Sequence, residues 1–147
     1  MKKLLVILGL LVPLVLMPKT PMEQKVVFDC ASDDMDYVSS RMWLIAESAR
    51  EFEEKKIPYK MVLTIHSGCT EIVSREAAKE DETLQKIQKR LTELSNKYHV
   101  AIEGCELAIN RNGYTKKDLH PVITTVRNSI TRVIMLQNEG YAFIPYH

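Results

Sequence analysis

From residue 25 onward, the chain alternates short β-rich apolar runs with longer stretches of helical periodicity. Residues 25–30 read Lys-Val-Val-Phe-Asp-Cys, a run suited to a strand buried on both faces. Ser32, Asp33 and Asp34 offer N-cap side chains, and Val38, Met42, Ile45, Ala49 and Phe52 follow at spacings of four and three. That spacing is the apolar stripe of an amphipathic helix, which should stop before Pro58. A second buried strand is predicted over 59–66, with Gly68 and Thr70 marking a turn into a short helix near 70–78. Asp81 can cap a third helix, in which Leu84, Ile87, Leu91 and Leu94 share one face. Residues 99–104 form a third, weaker strand, and a short helix begins at Cys105 and closes at Asn112-Gly113. Thr115 and Asp118 have the spacing of a capping box ahead of Pro121. Val122 to Val126 predicts a fourth strand, 129–139 a helix closed by Gly140, and 141–146 a final strand.

Strands that alternate with helices imply a mostly parallel five-stranded sheet covered on both faces: an α/β fold with three layers, helix, sheet and helix. No internal repeat or low-complexity stretch interrupts the pattern, so 21–147 reads as one domain.

The first 20 residues break this pattern. Met1-Lys2-Lys3 is a short positive segment, followed by 14 uncharged residues from Leu4 to Met17. A helical membrane span needs roughly 20 apolar residues, so this run fits a secretory leader better than an anchor. No A-x-A cleavage pattern precedes Pro21, which leaves open an uncleaved short anchor or a buried N-terminal helix. The expectation is a signal peptide over 1–20 and a periplasmic or otherwise exported domain with no stable membrane insertion of its own.

Composition narrows the partners. Hydrophobic residues make up 46% of the chain and charged residues 27%, which is ordinary for a globular domain and argues against disorder. Removing Lys2, Lys3 and Lys19 from the 20 basic residues leaves 17 against 19 acidic ones. A near-neutral domain whose aromatics do not interleave with a basic run has no footprint for nucleic acid.

In open parallel sheets, ligands bind beyond the carboxyl ends of the strands. That rule selects Cys30 after the first strand, His66 after the second, Cys105 after the third, and Arg127 with Asn128 after the fourth; Cys69 lies in the turn after His66. Cys105 has the strongest case. At a strand-to-helix junction, free N–H groups and the helix dipole favour a thiolate, although Glu106 beside it opposes ionisation. Gly104 is expected to let the backbone turn and leave the sulfur open. Cys30 and Cys69 can each be a resolving thiol, a disulfide partner or simple packing. His66 and Cys69, with a second cysteine, could make a soft Cu(I) or Zn site, but one His-x-x-Cys pair does not establish it. Phosphate-loop, dinucleotide, nucleophile-elbow, zincin and Cys-x-x-Cys patterns are all missing from the sequence. No resident cofactor or metal is expected.

The C-terminal half carries a resemblance. Ile102-Glu103-Gly104-Cys105, then Asp118-Leu119, then the tail Leu136-Gln137-Asn138-Glu139-Gly140-Tyr141-Ala142-Phe143-Ile144 resemble the DsrE/DsrF-like family. The likeness reaches upstream through Val26-Val27-Phe28-Asp29 and the His66 turn. It implies a DsrE-like α/β/α fold, assembly into homo-oligomers such as trimers or hexamers, and a sulfur-relay role with persulfide carried on Cys105. The implied partners are sulfur donor and acceptor proteins or small sulfane-sulfur compounds. The sequence departs from the family pattern at Glu106-Leu107-Ala108 and at Asn128-Ser129. A non-catalytic oligomeric binding protein and an exported soft-metal binder are the competing readings.

Overall fold

The structure, a computed structural model, describes residues 21–147. The expected leader over 1–20 lies outside the described residues. Five strands form one sheet: β1 (Gln24–Cys30), β2 (Tyr59–Ile65), β3 (Ala101–Cys105), β4 (Ile123–Val126) and β5 (Ala142–Tyr146). Their order is β4-β3-β2-β1-β5, and every pairing is parallel. Between them lie α1 (Met35–Glu54), α2 (Glu82–Asn96), α3 (Glu106–Arg111) and α4 (Ser129–Asn138). Among the described residues, no helix is long and apolar enough to cross a membrane.

The helices begin where the sequence offers caps. Asp34 accepts from the Tyr37 N–H, Asp81 from the Leu84 N–H and Asn128 from the Ile130 N–H. Gly140, at φ +89°, closes α4 in the left-handed region that favours glycine. Two expectations need correcting. The segment foreseen as one helix over 70–78 is instead two 3₁₀ helices, Ser67–Val73 and Ala77–Lys79. Half of the Thr115–Asp118 capping box forms: Asp118 Oδ2 accepts the Thr115 N–H, but the Thr115 hydroxyl donates to that same oxygen, the Asp118 N–H goes to the Thr115 carbonyl, and the bonds close a turn with no helix after it.

The strand pleat sorts the core into two unequal halves. One face carries Phe28, Cys30, Leu63, Ile65 and Ile102, packed under α1 and α2 with Met42, Ile45, Leu84, Ile87 and Leu91. The opposite face carries Val27 and Val62 against Val133 and Leu136 of α4. Further along that second face, the register aligns Asp29, Thr64, Glu103 and Thr124 in one row across four strands. Asp29, Thr64 and Glu103 are buried.

The order of strands also sets the helices. The chain steps from β1 to β4 in one direction, with its helices on one face, and then returns over the other face through α4 to β5. Right-handed crossovers require that change of face when the direction reverses. The connections leaving the neighbouring strands β3 and β4 therefore diverge, α3 to one side and α4 to the other. A crevice opens between them at the carboxyl edge of the sheet.

Candidate functional site

That crevice is a cleft of about 550 Å³ lined by His66, Ser67, Cys105, Leu107, Ala108, Arg111, Asn112 and the start of α4 at Asn128, Ser129 and Ile130. Cys105 is both the last residue of β3 and the N-cap of α3. Only 5% of the residue is exposed, and that exposure is into the cleft. Burial pushes the thiol up. The N–H groups of Ser129, Ala108 and Leu107 and the Ser129 hydroxyl work the other way and prevail, holding Cys105 below the ordinary thiol range. The division of labour at α4 is specific. The Asn128 side chain takes the Ile130 N–H at 3.0 Å, leaving the Ser129 N–H for the sulfur. Glu106 accepts the Thr125 hydroxyl at 2.9 Å, so its carboxylate is tied to β4.

Across the cleft, the turn after β2 is stitched to the end of β1. The His66 N–H donates to the Cys30 carbonyl at 3.0 Å and the Gly68 N–H to the Ala31 carbonyl at 3.1 Å. Gly68 packs so closely that an added Cβ would stand 2.7 Å from the Asp33 Cβ and 2.8 Å from its backbone nitrogen. Cys30 and Cys69 form a disulfide beneath this turn, with Cα atoms 5.7 Å apart. His66 is held at both ring nitrogens: Nε2 lies 3.0 Å from Asp29 Oδ1, and Nδ1 lies 2.8 Å from Ser67 Oγ. The buried Thr64 hydroxyl donates to the same Asp29 oxygen at 2.6 Å. Burial raises Asp29, but the bonds from His66 and Thr64 hold it below the usual carboxylate range.

The model of the DsrE/DsrF-like family matches residues 25–146. The chain belongs to that family. An uncharacterized protein of Aquifex aeolicus is 40% identical over 126 residues, covering 83% of this chain and 56% of the relative. The chain thus spans little more than half the length of that relative. Among solved structures, a protein of unknown function from Methanobacterium thermoautotrophicum (MTH1491) superposes with a TM-score of 0.66 at 20% identity. That likeness covers 84% of this chain and 99% of the other. The ychN protein of E. coli superposes with a TM-score of 0.55 at 13% identity, covering 84% and 99%. These likenesses show a DsrE-like α/β fold, and membership of the DsrE/DsrF-like family points to sulfur relay at the level of the family.

Within this DsrE-like fold, the foreseen site residues separate into two groups. Cys105, His66 and Asn128 meet in the cleft. Arg127 does not line it with its side chain, which borders a neighbouring hollow; its carbonyl lies 4.0 Å from Cys105 Sγ. Cys30 and Cys69 are fully buried in the core on the α1–α2 face and bonded to each other. Neither can resolve a persulfide on Cys105, and neither offers a thiolate to a soft metal. Among the described residues, no group of three or more His, Cys, Asp or Glu could hold a metal ion. Gly104 serves packing rather than a turn: a Cβ there would stand 3.0 Å from Ile109 Cδ1 and 3.1 Å from Ile123 Cγ2. Sequence reading missed Asp29, Ser67, Arg111 and Ser129. Only Asp29 carried a signal, a carboxylate inside an apolar strand run.

Proposed function

We propose that this DsrE/DsrF-like protein carries sulfane sulfur as a persulfide on Cys105 and passes it to an acceptor thiol. The observation that carries this reading is a thiol at the topological switch point, lining a cleft between the starts of two helices whose N–H groups favour its thiolate. A thiolate is the species that attacks sulfane sulfur. In the loading step, Cys105 Sγ bonds the outer sulfur of a donor R–S–SH, and the donor's S–S bond breaks with its electron pair on R–S⁻. In the delivery step, an acceptor thiolate takes that outer sulfur and Cys105 leaves as thiolate. Sulfur changes hands without an outside oxidant or reductant.

Two further elements of the reading rest on separate features. The Cys30–Cys69 disulfide and the apolar segment after Lys3 support an exported protein, since buried disulfides persist in oxidising compartments. Ile130, Ile134 and Met135 leave an exposed apolar face on α4, continued by Leu107 on α3, and this supports a homo-oligomer, a trimer or hexamer. Light scattering on the purified domain tests the assembly. Intact-mass analysis after incubation with inorganic polysulfide tests the chemistry. The wild type should gain the mass of sulfur and Cys105→Ser should not; equal gain by both proteins removes Cys105 from the role.

A further inference from the structure

We propose that Asp29, His66 and Ser67 form a proton relay that opens into the cleft at Ser67 Oγ and serves sulfur transfer at Cys105. This assignment rests on the sulfur-carrier reading above. The three groups are linked end to end, from Asp29 Oδ1 to His66 Nε2 at 3.0 Å and from His66 Nδ1 to Ser67 Oγ at 2.8 Å. His66 and Ser67 line the same cleft as Cys105. Asp29 Oδ1 facing Nε2 selects the tautomer that carries its proton there, and in that tautomer Nδ1 is a bare acceptor for the Ser67 hydroxyl.

The surroundings hold Ser67 at that spot against its own preference. Its φ of 51° lies in the left-handed region that serine adopts at a cost. Three restraints maintain it: the disulfide at Cys69, the Gly68 N–H bond to Ala31, and the contact of Gly68 with Asp33. A histidine needed only for packing would not require an exposed, strained hydroxyl on its second nitrogen. The charged and titratable groups facing the relay are Asp29 from β1, Asp33 behind Gly68, Cys105 from β3, Arg111 from α3 and His147 near Asp29.

The proton balance closes over one cycle. An acceptor thiol A–SH gives its proton to Ser67 Oγ while the Ser67 hydroxyl proton moves to His66 Nδ1, and Asp29 stabilises the imidazolium. The resulting A–S⁻ bonds the outer sulfur of Cys105–S–SH, and the Cys105 Sγ–S bond breaks with its pair on Cys105. On reloading, the thiolate R–S⁻ expelled from the donor takes the proton back through Ser67. The sum is R–S–SH plus A–SH giving R–SH plus A–S–SH, with the relay restored.

The test is single-turnover transfer from sulfur-loaded protein to two acceptors: an alkyl thiol, protonated at pH 7, and an aryl thiol already ionised there. Ser67→Gly removes the hydroxyl while tolerating the positive φ, and His66→Gln removes the base. Both variants should load sulfur to the wild-type extent by intact mass. Transfer to the alkyl thiol should slow roughly 10²-fold, the low end of what a positioned acid–base group supplies. The deficit should shrink as pH rises toward that thiol's own pKa, and the aryl thiol should react at the wild-type rate. Equal slowing with both acceptors, or no slowing with either, overturns the relay and leaves the carrier reading standing. A wild type that takes up no sulfur on Cys105 overturns the carrier reading and the relay with it.

Discussion

Breaking the Cys30–Cys69 bridge should destabilise the domain by about 4 kcal/mol, and the figure follows from where the bridge sits. It joins residues 39 apart in sequence, closing a loop that contains all of α1 and β2. The chain-entropy relation for a closed loop of that length gives roughly 13 cal/mol/K, hence about 4 kcal/mol at 25 °C. For a domain of this size the corresponding fall in melting temperature is about 15 °C. Urea denaturation of the oxidised protein, of the same protein in excess dithiol, and of a Cys30→Ala/Cys69→Ala double variant measures the difference directly. The reduced protein is the cleaner comparison, because the double variant also loses two fully buried sulfurs. Thiol titration in guanidinium without reductant should find one reactive group, Cys105, and three after reduction. Three thiols before reduction, or a stability change under about 1 kcal/mol, would refute the bridge as a determinant of this fold.

Other outcomes follow from the same geometry. The rate of Cys105 alkylation by iodoacetamide should rise with pH around a midpoint below that of a free cysteine, because the charged form is favoured here, and Ser129→Ala should move the midpoint upward. Glu103→Ala strips the carboxylate that receives Arg132 Nε at 2.8 Å and Nη2 at 2.9 Å. With the Arg132 side chain 30% exposed, the loss should fall below the full buried-pair cost, at about 2 kcal/mol by urea denaturation. Gly68→Ala should cost about 1–3 kcal/mol through the clash with Asp33 and should also slow delivery of sulfur to an alkyl thiol, as it displaces Ser67.

The sheet and most of its helices were legible because their signals are local. Asp34, Asp81 and Asn128 cap helices over apolar stripes at the periods that define them, and the buried strands are short β-rich runs. The carboxyl-edge rule then found Cys105, His66 and Asn128 without knowledge of strand order. The disulfide could not be read the same way, since three cysteines allow several arrangements and only the packed backbone brings Cys30 and Cys69 to 5.7 Å. The segment over 70–78 reads as one short helix because Ile72, Val73 and Ala78 are apolar at spacings that either helical geometry accepts, and only the packed backbone divides it into two 3₁₀ helices.

The larger miss was the polar row. Asp29, Thr64, Glu103 and Thr124 belong to four strands, and nothing in any one strand marks its residue as the neighbour of the others. Once aligned, the row explains why the α4 face has so small an apolar cluster: next to Val27 and Val62, the sheet carries a carboxylate at each of two positions. Each carboxylate has a partner of its own, Arg132 for Glu103 and His66 with Thr64 for Asp29. Buried charges persist only when paired and hydrogen-bonded, so the two pairs are conditions of the fold and not additions to it. They also divide the work. The Glu103–Arg132 pair fixes α4 to β3, which sets the Ser129 N–H against the Cys105 sulfur; the Asp29–His66 pair fixes the opposite wall, with Ser67 at its rim. Removing Glu103 should therefore raise the Cys105 midpoint with little effect on the relay, whereas removing His66 should spare the midpoint and slow transfer to protonated thiols alone.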